Sequence, residues 1–141
     1  RGVIQPMLEA GVARIDIANR TVSRAQAIAD IFEGDAVSAC GYDQITGPAY
    51  DLIVNGTSAS LSGDLPPVPD SAIDAHTCGY DMMYGATLPP FCAWCESKGA
   101  RAIDGLGMLV EQAAESFLIW RGVKPSTANI LSQLRDELQQ K

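Results

Sequence analysis

Long hydrophobic runs are absent from this sequence of 141 residues, and basic residues are scarce. No apolar stretch approaches the roughly 20 residues that a transmembrane helix needs, so we expect no membrane-spanning segment. Ten Lys and Arg residues stand against 17 Asp and Glu residues, which gives a formal net charge of -7. Nucleic acids and anionic membranes are bound through an excess of positive charge, and this balance argues against both partners. A small anion held by a local pair of cations is still compatible with it.

Histidine is limited to His76, and cysteine to four residues. A single histidine without an obvious partner supports neither a catalytic triad nor a metal site, so no metal is expected. No secretory signal precedes the cysteines, which predicts reduced thiols in a cytoplasmic protein. Cys92 and Cys95 have the CxxC spacing of redox motifs, but a lone CxxC is a poor zinc site. We therefore interpret both as structural thiols.

What the sequence does contain is an alternation of strand-like and helical segments, in a chain with 47% apolar and 19% charged residues. Four short apolar segments predict strands over Ala13–Ile17, Asp35–Cys40, Asp51–Asn55 and His76–Asp81. Helical spacing predicts helices over residues 1–10, 22–32, 90–98, 105–121 and 125–140. Apolar strands that alternate with helices form parallel sheets covered on both faces. The predicted fold class is therefore α/β, with a doubly wound and mainly parallel sheet and C-terminal helices.

The segment Asn19–Arg24 follows the first predicted strand and opens a helix. In dinucleotide-binding folds, an acidic residue at this strand end binds the ribose 2'-hydroxyl of NAD, whereas an Arg accommodates the 2'-phosphate of NADP. This segment has no carboxylate, and Arg20 and Arg24 are four residues apart, so a helix-opening turn can direct both at one dianion. Thr21 is expected to cap the helix. The alternative is a solvated helix start with two surface arginines.

Two later strand ends carry side chains suited to contact a ligand, because ligands in open α/β sheets bind outside the carboxyl ends of the strands. Thr57 and Ser58 follow the third predicted strand, where small side chains permit a close approach. Met82 and Tyr84 follow the fourth, where the thioether could pack on a flat ring and the hydroxyl could reach a polar substrate. The alternatives are an ordinary Asn-Gly turn after the third strand and core-filling Met and Tyr side chains.

The segment from Asp104 to Gln112 is the most informative helix start. Gly105 and Gly107 allow a backbone or a ligand to approach the helix N-terminus. Gln112 lies seven residues after Gly105, on the same helix face, and its amide could bind a polyol. An ordinary solvent-facing glutamine is the alternative. The buried face of this helix is expected to comprise Leu106, Leu109, Val110, Ala113, Ala114 and Phe117.

In their order and spacing, these motifs make the chain resemble the shikimate dehydrogenase family over essentially its whole length. The residues that carry the resemblance are Arg1-Gly2-Val3, Asn19-Arg20-Thr21-Val22-Ser23-Arg24-Ala25, Asp51-Leu52-Ile53-Val54-Asn55-Gly56-Thr57-Ser58, Tyr80-Asp81-Met82-Met83-Tyr84 and Asp104-Gly105-Leu106-Gly107-Met108-Leu109-Val110-Glu111-Gln112-Ala113-Ala114. The resemblance implies a Rossmann-like fold and the NADPH-dependent, reversible reduction of 3-dehydroshikimate to shikimate in aromatic amino-acid biosynthesis.

The resemblance also implies roles for individual residues. It assigns the adenosine 2'-phosphate of NADP to Asn19, Arg20, Thr21 and Arg24. It assigns other cofactor contacts to Thr57, Ser58, Met82 and Gly105, with Met82 and Gly105 beside the nicotinamide. It assigns the hydroxyl groups of the small-molecule substrate to Tyr84 and Gln112.

Two family features have no match in this sequence. The glycine-rich loop precedes the residues that match Arg1-Gly2-Val3, and the catalytic Lys and Asp belong to an N-terminal substrate domain. We therefore expect residues 1–104 to form a partial Rossmann-like NADP-binding domain without its first strand. Residues 105–141 should form helices that pack toward the N-terminal domain. We assign no catalytic residue, and expect the chain alone to bind NADP weakly at best and to be inactive.

Two other functions stay open. One is a paralogue that accepts quinate or prefers NAD, although the Arg20 and Arg24 pair favours NADP. The other is a non-catalytic NADP-binding or interaction module, which predicts a complete fold with no unfilled apolar face. The expected partial domain instead predicts an exposed apolar surface that favours self-association.

Overall fold

The computed structural model describes residues 1–59 and 62–140 and divides into two compact units. The first unit comprises Arg1–Pro48 and Pro67–Ala72, and the second comprises Ala49–Pro66 and Ile73–Lys141. Within the described residues, none of the helices has both the length and the hydropathy required to cross a membrane.

The first unit contains a two-stranded parallel sheet and two helices. Its elements are α1 (Ile4–Glu9), β1 (Ile15–Ala18), α2 (Val22–Ala29) and β2 (Val37–Cys40). The two strands pair along their full lengths, so Ala18 and Cys40 lie opposite each other at the carboxyl ends. The buried core and the side chains packed on it are Ile4, Leu8, Ile15, Ile17, Ile28, Ala29, Phe32, Val37 and Ala39. The helix predicted from the apolar spacing in residues 22–32 therefore packs its apolar side on this core.

The second unit contains a three-stranded parallel sheet and three helices. Its elements are β3 (Leu52–Asn55), β4 (Cys78–Asp81), α3 (Pro90–Ser97), β5 (Arg101–Ile103), α4 (Leu106–Arg121) and α5 (Ala128–Gln139). The strand order is β3-β4-β5, and both pairings are parallel. The core between α3 and the sheet is formed by Ile73, Phe91, Cys95 and Ala100. All parallel strands end at the same edge of their sheet, so the residues after β3, β4 and β5 are brought together.

The predicted α/β class and parallel pairing are confirmed, and all four predicted strands are present. The strand β5 was missed, because three residues that begin with the exposed Arg101 carry no recognisable strand period. The last helix begins at Ala128 rather than at the predicted Pro125, since the residues before Thr127 are not helical. Lys141, the last residue of the predicted C-terminal region, lies outside the described residues.

The predicted buried face of α4 is only partly correct. Leu106, Val110 and Ala114, spaced four residues apart, are buried. Ala113 and Phe117 are exposed, and they lie on the side of α4 that faces α5. Together with Leu109, Ile130 and Leu134 they line an apolar groove of about 330 Å³ between the two helices. Periodicity identified one apolar stripe, of which the structure buries one side and leaves the other side lining this groove.

The CxxC cysteines lie on the face of α3 that packs against β4. Cys92 and Cys95 are both fully buried, and Cys95 lies directly over Gly79, where an added Cβ would overlap its sulfur. The Cys92 thiol donates a hydrogen bond to the carbonyl oxygen of Ile103 over 3.6 Å. Burial raises the pKa of Cys92 to about 12 and the pKa of Cys95 to about 11. These residues are therefore packed, protonated thiols.

We expect Cys92 and Cys95 to resist alkylation in the folded chain. At pH 8 a thiol with a pKa of about 12 has only about one thiolate in ten thousand, and the thiolate is the nucleophile. The measurement is iodoacetamide labelling followed by mass spectrometry, on a variant in which the half-buried Cys40 and Cys78 are replaced by Ser. Both remaining thiols should react in urea and neither in buffer. Rapid labelling of Cys92 under native conditions would contradict this interpretation.

Candidate functional site

The first candidate site is the turn between β1 and α2. The Asn19 side-chain oxygen accepts a hydrogen bond from the Thr21 N–H at 2.8 Å, which fixes the turn that starts the helix. Thr21 occupies the N-cap position as predicted, but its side chain makes no capping hydrogen bond. The helix start is therefore held by Asn19 instead, and the Thr21 side chain is exposed.

Two arginines extend from this turn into solvent. Arg20 and Arg24 are both exposed, and neither forms an ion pair with a carboxylate among the described residues. Arg14, which directly precedes the N-terminal end of β1, instead donates two hydrogen bonds of 3.0 and 2.7 Å to the Asp16 carboxylate. The two guanidinium groups beside α2 thus remain available for an external anion, as a ribose 2'-phosphate would require.

Tyr42, which follows β2, also lies near Arg20, and it was not predicted as a site residue from the sequence. The Asn19 N–H donates to the Cys40 carbonyl oxygen over 3.2 Å, which sets the ends of β1 and β2 side by side. Burial raises the pKa of the Tyr42 phenol, and the positive charge of Arg20 partly offsets this rise. The aromatic ring therefore lies within electrostatic reach of Arg20. The available signal was its position, two residues after the neighbouring parallel strand.

The second candidate site, in the other unit, is centred on Met82. The Met82 N–H donates to the Asn55 carbonyl oxygen over 3.0 Å, and the Gly105 N–H donates to the Met83 carbonyl oxygen over 2.9 Å. A Cβ added to Gly56 would lie 3.3 Å from the Met82 sulfur, and one added to Gly105 would overlap the Met82 carbonyl group. Met82 is thus flanked by two glycines at the carboxyl edge of β3, β4 and β5.

A buried network of hydrogen bonds among Asn55, Thr57 and Asp81 stabilises this edge. Asp81 is fully buried; its carboxylate accepts the Asn55 amide at 3.1 Å and the Met83 N–H at 2.9 Å. The Asn55 oxygen accepts both the N–H of Thr57, at 3.1 Å, and its hydroxyl, at 2.8 Å. These bonds hold the turns after β3 and β4 together. Neither Asn55 nor Asp81 was given a role from the sequence, although a carboxylate at the end of an apolar strand indicates a buried polar contact.

The other predicted site residues differ in whether their polar side-chain groups are already hydrogen-bonded within the protein. The Thr57 hydroxyl donates to Asn55 and accepts the Ala59 N–H at 3.2 Å, so it is engaged in shaping the turn. Ser58, Tyr84 and Gln112 are exposed, and Tyr84 keeps 41% of its surface accessible. Gln112 lies two helical turns beyond Gly105 on α4. Thr57 can therefore offer a ligand mainly its backbone and methyl group, whereas the other three offer free polar groups.

A thioether packs well on a flat ring, and the Met82 sulfur lies beside Gly56 at this edge. Both carboxylates at this edge are engaged, since Asp81 is buried in its network and Asp104 is bound to Arg135. The described edge therefore offers no free carboxylate for proton transfer, whereas the Tyr84 hydroxyl is exposed there.

Comparison with known proteins gives consistent matches. Residues 1–62 match the family model described as Shikimate / quinate 5-dehydrogenase, and residues 105–135 match the model of the Shikimate 5'-dehydrogenase C-terminal domain. The shikimate dehydrogenase (NADP(+)) of Cellvibrio japonicus is 49% identical to this chain, over 100% of the chain and 52% of the relative. The chain thus spans about half the length of the curated relatives that it matches.

Solved structures agree with this match. An Ael1 enzyme from Pseudomonas putida aligns with a TM-score of 0.87 and 41% identity, over 94% of this chain and 49% of the other. A shikimate dehydrogenase solved in complex with NADP+ aligns with a TM-score of 0.70 and 27% identity, over 89% of this chain and 47% of the other. The Rossmann-like architecture expected from the sequence is thereby confirmed.

Proposed function

The chain belongs to the shikimate dehydrogenase family, and we propose from this premise that it forms the NADP-binding part of an enzyme that reversibly reduces 3-dehydroshikimate to shikimate. The observation that carries the proposal is that Arg20 and Arg24, at a helix-opening turn, form no ion pair with a carboxylate in the described part of the chain. Two guanidinium groups beside the start of α2 suit the dianionic 2'-phosphate that distinguishes NADP from NAD.

The proposal assigns each unit its own contacts. In the first unit, Asn19 shapes the turn, Arg20 and Arg24 neutralise the 2'-phosphate, and Thr21 offers its free hydroxyl. When bound, NADPH supplies the hydride that reduces the substrate carbonyl. In the second unit, four residues contact the cofactor and orient its ring: Thr57, Ser58, Met82 and Gly105. Tyr84 and Gln112, both exposed, bind substrate hydroxyls.

Proton transfer is the part of the reaction that this chain does not supply. No residue matches the catalytic Lys and Asp of the family, and the described edge around Met82 offers no free carboxylate. We therefore propose that the chain by itself does not oxidise shikimate. The partition into residues 1–104 for the cofactor and 105–141 for docking on the substrate domain is part of the same proposal. The match of the C-terminal family model from residue 105 supports that boundary.

Cytoplasmic location and self-association also belong to this proposal. The four cysteines are free thiols, which suits a reducing compartment. Ile119 and Trp120, near the end of α4, keep 80% and 77% of their surface accessible, which suits contact with another polypeptide. Exposed Ile119 and Trp120 and the apolar groove between α4 and α5 argue against the alternative of a non-catalytic module. That alternative predicts a complete fold without an unfilled apolar face. The quinate or NAD paralogue stays an alternative that cofactor titration addresses.

Calorimetric titration of this chain with NADP+ and NAD+ tests the proposal. We expect NADP+ to bind more tightly, and the double variant Arg20→Ala, Arg24→Ala to lose at least about 100-fold in NADP+ affinity, because each charge-assisted contact contributes roughly 1.5–3 kcal/mol. Affinity for NAD+ should change little. The matched control is Arg121→Ala, an exposed arginine in the last turn of α4. Equal binding of both cofactors by the parent chain, or undiminished NADP+ binding by the double variant, would overturn the proposal.

A further inference from the structure

An ion pair ties α5 to the turn that precedes Gly105. Arg135 donates from its Nη1 to Asp104 Oδ2 at 2.5 Å and from its Nη2 to Asp104 Oδ1 at 2.6 Å. Asp104 is only 9% exposed, and its Oδ1 also accepts the Leu106 N–H at 3.3 Å. The guanidinium group thus donates to both carboxylate oxygens of a residue that is 31 positions earlier in the sequence. A bidentate pair of this kind fixes orientation as well as distance.

The residue next to this ion pair forms one side of the Met82 site. Gly105 donates its N–H to the Met83 carbonyl oxygen and packs so closely on Met82 that no Cβ would fit. Asp104 also sets the first turn of α4, the helix that carries Gln112. Any movement of Asp104 is therefore passed through the backbone to Gly105 and the start of α4.

We propose that Arg135 is a positioning residue for the nicotinamide end of the cofactor site, acting through Asp104 on Gly105 and Met82. The inference rests on the proposed function for the identity of the ring, but the mechanical link stands on its own distances. Without Arg135, the buried carboxylate of Asp104 would lose its cation and turn toward water, because burying an unpaired charge is costly. Gly105 would then no longer be held against Met82.

The charge state of Asp104 gives this link a pH dependence. The Arg135 guanidinium holds the pKa of Asp104 below its usual value of 3.8, against the opposing effect of burial. Tyr80 on β4 and Cys92 on α3 also lie within electrostatic reach, since Asp104 helps to raise the pKa values of both. A carboxyl group with a lowered pKa stabilises the fold above its unfolded pKa and loses that contribution as the pH falls through the folded value. The ion pair therefore acts fully at neutral pH and is lost below pH 3.8.

The experiment compares Arg135→Gln and Arg135→Lys with the parent chain by amide NMR and by calorimetry. Lys124→Gln is the matched control, since Lys124 pairs with Glu115 on the exposed surface of the same helical region. We expect Arg135→Gln to shift the amide resonances of Met83, Gly105 and Leu106, and to weaken NADP+ binding about tenfold. Binding of adenosine 2',5'-bisphosphate, which has no nicotinamide, should not change. Arg135→Lys should restore part of the affinity, and the control should show none of these effects.

Acid titration separates positioning from general stabilisation. The spectra of the parent chain and of Arg135→Gln should differ at pH 7 and converge as Asp104 is protonated below pH 3.8. Unmoved Met83 and Gly105 amides, or equal loss of adenosine 2',5'-bisphosphate and NADP+ affinity, would overturn the positioning role. If the parent chain binds neither NADP+ nor the bisphosphate, the proposed function fails, and the amide shifts alone decide the role of Arg135.

Discussion

Replacing Gly105 with alanine is expected to lower the free energy of unfolding by about 3 kcal/mol, the upper range for overpacking a closely packed site. The new Cβ would overlap the Met82 carbonyl oxygen and lie 2.7 Å from its carbonyl carbon and 3.3 Å from the Asp81 carbonyl oxygen. These are backbone atoms held by the sheet, so no side-chain rotation can relieve the contact. The backbone of Gly105, at φ -77° and ψ 1°, is accessible to alanine, which makes the effect purely steric. Urea denaturation measures it.

Gly107 provides the matched control for this substitution. It lies two residues further along, inside α4, and a Cβ added there meets nothing within 4 Å. Gly107→Ala should therefore stabilise the chain by up to about 1 kcal/mol through helix propensity. Gly105→Ala should in addition weaken NADP+ binding, because it displaces Met82. If both variants unfold at the same urea concentration, the close approach at Gly105 is not a constraint of the folded chain.

Replacing Asp81 with alanine is expected to lower the free energy of unfolding by about 3 to 5 kcal/mol, because it removes a buried charged acceptor from two donors. The Asn55 amide and the Met83 N–H would both lose the partner that the carboxylate provides. Asp81→Asn should also destabilise the chain, since its new amide would face the Asn55 amide, donor against donor. Urea denaturation measures both variants, with Asp51→Asn, on an exposed residue just before β3, as the control.

Exchanging the two side chains tests whether the network itself is responsible. In the double variant Asn55→Asp, Asp81→Asn, one carboxylate oxygen at position 55 can still accept the Thr57 N–H and hydroxyl. Its other oxygen can accept the amide at position 81, whose own oxygen can accept the Met83 N–H. The double variant should therefore be more stable than Asp81→Asn alone, with a positive coupling energy in the mutant cycle. Additive losses from the two substitutions would show that this hydrogen bond is not what holds the turns.

One feature of each candidate site could be predicted from the sequence, because its signal is local. Arg20 and Arg24 are four residues apart behind a strand, so the helix that follows determines which side they share. Met82 follows a strand, and parallel strands present their carboxyl ends at one edge. The paired glycines show where this reasoning stops. Gly105 and Gly107 appear equivalent in the sequence, yet only Gly105 packs against another backbone.

The sequence by itself determined the strand and helix alternation, the parallel pairing and the arginine turn, because each depends on periodicity or charge within a few residues. The tertiary structure alone decided which distant groups are partners. Asn55 and Asp81 are 26 residues apart, and Asp104 and Arg135 are 31 apart. Their pairing follows from the strand register and from the course of α5, which no local pattern encodes. A buried hydrogen bond or ion pair requires its donor and acceptor to be placed to within tenths of an ångström, and only the packed chain places them so.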